Sequence, residues 1–322
     1  MRKALCVGIN YYLNISNLTG CTYDANAVKT VLERNSDNTR NFDVKLMCAT
    51  NNTSAIKRGD LKDAVEKLFQ SDVEIALFYF AGHGALDSCG GYLCTSECNR
   101  YDDGLSLNDL MQYVSQSPAK NKVIILDSCH SGAIGGVANM QHFSTLSNGT
   151  TILAACDQQE SALECDGHGI FTELLVEALN GGSMTLLGDV TPGSIYAYID
   201  RSLGAWDQRP IFKANISSFI SLRKCNPLIN VPELHTLMRL FDNPTFEYPL
   251  DPSYEPNKNE IDDKTINEEH QEIFTLLQKC AKLNLVEPCG EEHMYYAALH
   301  NKSCKLTAHG RHYWNLIRKG TI

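Results

Sequence analysis

Hydrophobic positions along the chain come in short continuous runs, each followed by a stretch of helical periodicity. ALCVGIN (4–10), FDVKLMCA (42–49), VEIALFYFAGHG (73–84), KVIILDSC (122–129) and TTILAAC (150–156) read as strands. Between and after them, DANAVKTVLERN (24–35), TSAIKRGDLKDAVEKLF (53–69), SLNDLMQYVSQS (106–117), GIFTELLVEAL (169–179) and GSIYAYIDRSL (193–203) repeat apolar residues at helical spacing. Asp24, Thr53 and Ser106 are the expected start signals of the first three helices. RPIFKANISSFISL (209–222) closes the region as a strand. Near-continuous apolar strands alternating with helices predict an α/β fold: a mostly parallel sheet covered by helices on both faces.

The texture changes at residue 224. Pro227, Pro232, Pro244, Pro249, Pro252 and Pro256 recur among acidic residues, and 224–265 reads as a Pro-rich acidic linker or arm with little regular structure. Beyond it, EEHQEIFTLLQKCAKLN, EEHMYYAALHN and KLTAHGRHYWNLIRKGTI predict a small, mainly helical domain over 266–322. The expected organisation is therefore 1–223, linker, and 266–322.

Composition narrows this picture only slightly. The 322 residues are 43% hydrophobic and 20% charged, ordinary for a globular protein. A formal net charge of −10 argues against general nucleic-acid binding. No apolar run reaches membrane-spanning length, so no membrane partner is expected. MRKALCVGIN reads as a first strand and not as a signal peptide, and the 13 cysteines read as reduced thiols. A cytoplasmic protein follows as the expectation.

Chemistry concentrates at two strand ends. In such sheets ligands sit beyond the carboxyl ends of the strands, and both AGHG (81–84) and DSCHSG (127–132) lie there. A thiol becomes a nucleophile when a base takes its proton. His83 stands 46 positions before Cys129, each at the end of a strand, and neighbouring strands would bring them to one sheet edge. Gly82 and Gly84 leave the backbone beside His83 bare for a substrate chain. The N–H groups of Gly84 and Cys129 could hold an oxyanion. His130 is a rival base, although adjacent side chains generally point apart. Cys89, Cys94 and Cys98 lack a CxxC pair and a fourth ligand for zinc. No GxxxxGK[ST] loop marks a nucleotide site.

YFAGHG and DSCHSG resemble the histidine and cysteine motifs of the caspase-like cysteine peptidases (family C14), above all the metacaspase and paracaspase branch. Their spacing is one already familiar from caspases. The opening ALCVGINYY…LTGCTYDANAV is similar to the start of that family, and the resemblance spans about residues 3–222. It implies that His83 is the general base and acid and Cys129 the nucleophile at a peptide carbonyl. It also implies that Asp127, two residues before Cys129, and Asp24, in LTGCTYDA, line an acidic S1 pocket for Arg or Lys. Ala81 departs from the family, which often has Ser two residues before the histidine. Asp157 and Glu160 in AACDQQESALE match the family's pocket-wall loop.

Many metacaspases need calcium, and Asp102 and Asp103 resemble part of that site. The loop after Cys129 supplies no acid, so the family site is incomplete, and neither a cofactor nor a metal is expected. LTAHGRHYWNLIRKG resembles the end of a winged-helix module of the kind attached to bacterial defence effectors. That implies a docking or regulatory domain, and an effector in a bacterial stress or antiphage system. The alternative is a catalytically silent interaction module on the same fold. Residues 133–150 contain no Lys, Arg, Asp or Glu, so self-cleavage there is not expected. A regulatory protein or ligand acting through the C-terminal domain is expected instead. Arg100, Arg223 and Lys224 remain as secondary cleavage sites.

Overall fold

The computed structural model describes residues 1–87, 90–99, 104–128, 146–155, 164–165, 168–204, 209–255 and 267–322. The chain divides into two compact units, Met1–Asn226 and Pro227–Ile322.

The first unit contains β1 (Arg2–Ile9), α1 (Cys21–Glu33), β2 (Asp43–Ala49), α2 (Arg58–Phe69), β3 (Ile75–Ala81), β4 (Gly84–Asp87) and β5 (Gly90–Leu93). It continues through β6 (Leu105–Ser106), α3 (Leu107–Gln116), β7 (Asn121–Asp127), β8 (Thr150–Ala154), β9 (Glu164–Cys165), β10 (His168–Gly169) and α4 (Ile170–Glu177). Then come β11 (Asp189–Val190), α5 (Pro192–Ser202), β12 (Ile211–Asn215) and β13 (Arg223–Lys224). Six strands form the central sheet in the order β12-β8-β7-β3-β1-β2. Only β12 runs antiparallel, against β8.

The apolar strands are buried on both sides, as their continuous hydrophobicity requires. Phe78, Phe80, Ile124 and Leu126 face α2 and α3 in one core. Leu77, Tyr79, Val123 and Ile125 face α1, α4 and α5 in the other. Strand alternation divides one hydrophobic run between two cores.

Three expectations about this unit change. The first helix starts at Cys21, with Gly20 at its cap position, so Asp24 lies inside the first turn and is not the N-cap. Asn10 does the capping work instead: its Oδ1 accepts the Thr22 N–H at 3.1 Å. The second helix starts at Arg58 and not Thr53, because the Asn51–Ser54 capping box closes a separate short turn. The third strand ends at Ala81, and the chain turns at Gly82–His83 into β4.

The second unit contains α6 (Val231–Arg239), β14 (Glu247–Pro249), α7 (Glu268–Lys282), β15 (Val286–Cys289), α8 (Met294–Leu299), β16 (Ser303–Leu306) and α9 (Ala308–Arg318). Its strands form an antiparallel sheet in the order β14-β16-β15. The expected unstructured arm over 224–265 is overturned where the chain is described. Asn230 and Glu233 form a capping box, and Pro232 sits in the first turn of α6, where a proline starts a helix instead of breaking one. Lys279 then ties α7 to Glu233 at 2.8 Å. Among the described residues, no helix is long and apolar enough to cross a membrane.

Gly8 governs how α1 seats on the sheet. A Cβ there would lie 2.2 Å from the Cys21 carbonyl oxygen. Gly8→Ala is expected to lower stability by about 1–3 kcal/mol through overpacking. Urea denaturation checks this, and an unchanged midpoint would count against the close approach as a constraint.

Candidate active site

β3 and β7 pair in parallel from Ile75↔Asn121 to Ala81↔Asp127. The Gly82 N–H donates to the Asp127 carbonyl at 3.3 Å, so the two strand ends stay together one residue beyond the ladder. His83 and Asp127 therefore belong to one sheet edge. Cys129 follows two residues after Asp127 and lies outside the described residues, as do His130, Asp157, Glu160, Asp102, Asp103 and Cys89.

His83 is held from three directions. Its backbone N–H donates to the Tyr12 hydroxyl oxygen at 2.8 Å. Its carbonyl accepts the Cys94 N–H at 2.9 Å, which anchors it to the strand exit of β5. Its ring Nε2 lies 2.9 Å from the Ser16 carbonyl and 3.4 Å from the Ser16 hydroxyl. A carbonyl oxygen only accepts, so Nε2 carries the proton in this contact. In the tautomer that fits this contact, the lone pair lies on Nδ1. The Tyr12 ring packs against the imidazole at a centroid distance of 4.8 Å. Burial pushes the Tyr12 phenol well above its ordinary range, so it stays neutral.

Tyr12 also changes the role of Gly82. A Cβ on Gly82 would stand 2.7 Å from the Tyr12 hydroxyl and 3.0 Å from the Phe80 ring. That space is filled by the protein's own side chains and not kept bare for a substrate. Gly84 lies at the start of β4, paired in register with Leu93.

The acidic side of the site lies on the opposite face of the sheet. Asp127 is 8% exposed and Asp24 is 4% exposed. Asp127 Oδ2 accepts a hydrogen bond from the Thr172 hydroxyl at 2.6 Å, and the Tyr79 hydroxyl lies 2.6 Å from that same Thr172 oxygen. Burial first, and then the charges of Asp127 and Asp24, push the Tyr79 phenol well above its usual range. The charges of both carboxylates thus bear on one buried hydroxyl. Ala81, at the position where the resembled family often has serine, is 1% exposed.

Sequence reasoning missed Tyr12, Ser16, Tyr79 and Thr172. Two left a signal. Thr172 is a lone hydroxyl on the buried stripe of α4 with Phe171 and Leu175, and Tyr79 is a phenol in a wholly buried strand. Buried polar groups need partners, so both mark a buried polar contact. Tyr12 and Ser16 sit in an irregular loop that carries no such signal. Cys94 and Cys98 are fully buried in apolar core, and the described residues hold no cluster of metal-ligating side chains.

The family model of the caspase domain, Peptidase C14, matches residues 1–227. The fold is similar to the crystal structure of a Geobacter sulfurreducens protein, with a TM-score of 0.52 at 18% identity, covering 70% of this chain and 98% of the other. It is also similar to caspase-1 from Spodoptera frugiperda, with a TM-score of 0.51 at 14% identity, covering 70% and 91%. No curated protein matches by sequence.

Tyr12→Phe removes the acceptor of the buried-side His83 N–H. It is expected to cost about 1–3 kcal/mol in stability, the scale of an unsatisfied polar group. Thermal unfolding measures this; a melting temperature equal to wild type would argue that water replaces the phenol there.

Proposed function

The chain belongs to the caspase-domain family, whose members are cysteine peptidases, and from that premise we propose that it is an endopeptidase using Cys129 and His83 to cleave after Arg or Lys. The observation that carries the reading is the register of β3 on β7, ending at Ala81↔Asp127. His83 and Cys129 each follow that last pair by two residues.

In this reading His83 takes the thiol proton at Nδ1 while Nε2–H stays on the Ser16 carbonyl. The thiolate attacks the peptide carbonyl, and the N–H groups of Gly84 and Cys129 receive the developing oxyanion. The imidazolium returns its proton to the leaving amine, and water completes hydrolysis of the acyl-enzyme. Asp127 and Asp24 form the floor of S1. A cationic P1 side chain gains a charge-assisted hydrogen bond there, and an acidic one is repelled. Asp157 and Glu160 are assigned to the pocket wall. No cofactor enters any step.

The buried carboxylates favour this reading over a silent interaction module, because an interaction surface has no need of acids buried at the same strand ends as a catalytic-type histidine. We assign the second unit a docking or regulatory role, with a protein or ligand as its partner. The cellular role that fits is an effector in bacterial stress or antiphage defence, acting in the cytoplasm.

Cys129→Ala and His83→Ala are each expected to lower peptide hydrolysis by roughly a thousandfold or more without unfolding the protein. Matched peptides differing only at P1 should show Arg cleaved faster than Asp, with the preference lost in Asp127→Ala. Wild-type turnover in Cys129→Ala would sink the dyad, and faster cleavage after Asp would sink the pocket.

The uncharged composition of residues 133–150 leaves an Arg- or Lys-specific enzyme nothing to cut there. The active protein is therefore expected to run at full-length mass in intact-mass spectrometry, alongside Cys129→Ala. An obligatory cut between Ala133 and Thr150 in the active form would overturn gating by a partner.

A further inference from the structure

We infer that Thr172, backed by Tyr79, is the positioning residue that aims Asp127 at the P1 side chain and so sets the selectivity of the pocket. The inference deepens the proposed function and rests on the reading of Asp127 as an S1 carboxylate.

Proton counting gives the chain of hydroxyls a direction. Thr172 has a single hydroxyl proton, and it is given to Asp127 Oδ2 at 2.6 Å. The Thr172 oxygen, 2.6 Å from the Tyr79 hydroxyl, can then only accept from it. Both O–H dipoles run the same way, from Tyr79 through Thr172 to the carboxylate. Hydrogen bonds donated to a carboxylate favour its charged form, and aligned donors strengthen one another in a low-dielectric interior. The raised pKa of Tyr79 keeps its proton in place as the chain's source.

Position matters as much as charge. Thr172 is 1% exposed and Tyr79 is fully buried, so both hydroxyls are locked by packing. The hydrogen bond from α4 to Oδ2 restrains rotation of the Asp127 carboxylate. A cation-recognising acid gains from this, since orientation is settled before the ligand arrives. Asp24, in the first turn of α1 on the same face, adds negative potential without being part of the relay.

The alternative is that the two hydroxyls merely satisfy each other inside the fold. The test compares kcat/KM for a P1-Arg peptide and its P1-citrulline counterpart, alike in shape but uncharged, using the full chain. Thr172→Val is expected to reduce the Arg-to-citrulline ratio roughly tenfold, the scale of a hydrogen bond to a charged group, mainly through KM. Thr172→Ser should restore the ratio, and Tyr79→Phe should lower it by less. Loss of the ratio in Asp127→Ala with full retention in both Thr172→Val and Tyr79→Phe overturns the inference. Retention in Asp127→Ala as well means that the S1 reading itself has failed. Binding of agmatine to full-length Cys129→Ala, by calorimetry, reads the same order of variants without turnover. If Thr172→Val melts early, Tyr79→Phe and Thr172→Ser carry the comparison.

Discussion

The parallel pairing of β3 with β7 is the constraint on which the rest of the site depends. Seven residue pairs fix it, ending at Ala81↔Asp127. Side chains on a strand alternate faces, so a slip of one residue would exchange every core contact of that strand. Here such a slip would drive Tyr79 into the α2/α3 core and Phe78 or Phe80 against α1 and α4. Neither core has room for the exchange, since the residues of β3 are 0–1% exposed. Hydrophobic burial in two cores is thus what sets the relative position of His83 and Asp127, although neither residue contributes to either core.

The sheet also keeps the two kinds of chemistry apart. His83 is held by Tyr12, a member of the core beneath α2 and α3. Asp127 is held by Thr172 of α4, on the face covered by α1, α4 and α5. A histidine placed directly against two buried carboxylates would be drawn towards its charged form. On opposite faces, His83 and Asp127 are each held by a hydroxyl of their own. A buried phenol stands in each place, Tyr12 on His83 directly and Tyr79 behind Thr172, and burial pushes both well above the ordinary phenol range.

Much of this was legible before the structure. Continuous apolar runs announced a parallel sheet buried on both faces, and glycine-flanked polar residues at two strand ends marked the candidate site. What escaped was set by contacts distant in sequence. Asp24 carries every local mark of a helix cap, yet the helix begins three residues earlier because Gly8 lets the chain come close and Asn10 reaches over to cap Thr22. Pro232 reads as a breaker in a Pro-rich run. Its neighbours Asn230 and Glu233 turn it into a helix start, and α6 is then secured by Lys279 from a different element. The Ser16 carbonyl leaves no trace in sequence at all, because a backbone oxygen has no residue type.

The polar groups at the site also explain why its surroundings are so strictly apolar. A hydroxyl relay is useful only where water cannot compete for its protons. Phe171 and Leu175 flank Thr172 on α4, and Leu77, Ile125 and Val123 surround Tyr79 across the sheet. The same exclusion of water raises the cost of leaving any member of the relay without its partner. Asp127 therefore depends on Thr172 more than an exposed carboxylate would, and Thr172 on Tyr79. An acid set at the rim of a sheet is in this way governed by a phenol that it does not itself touch.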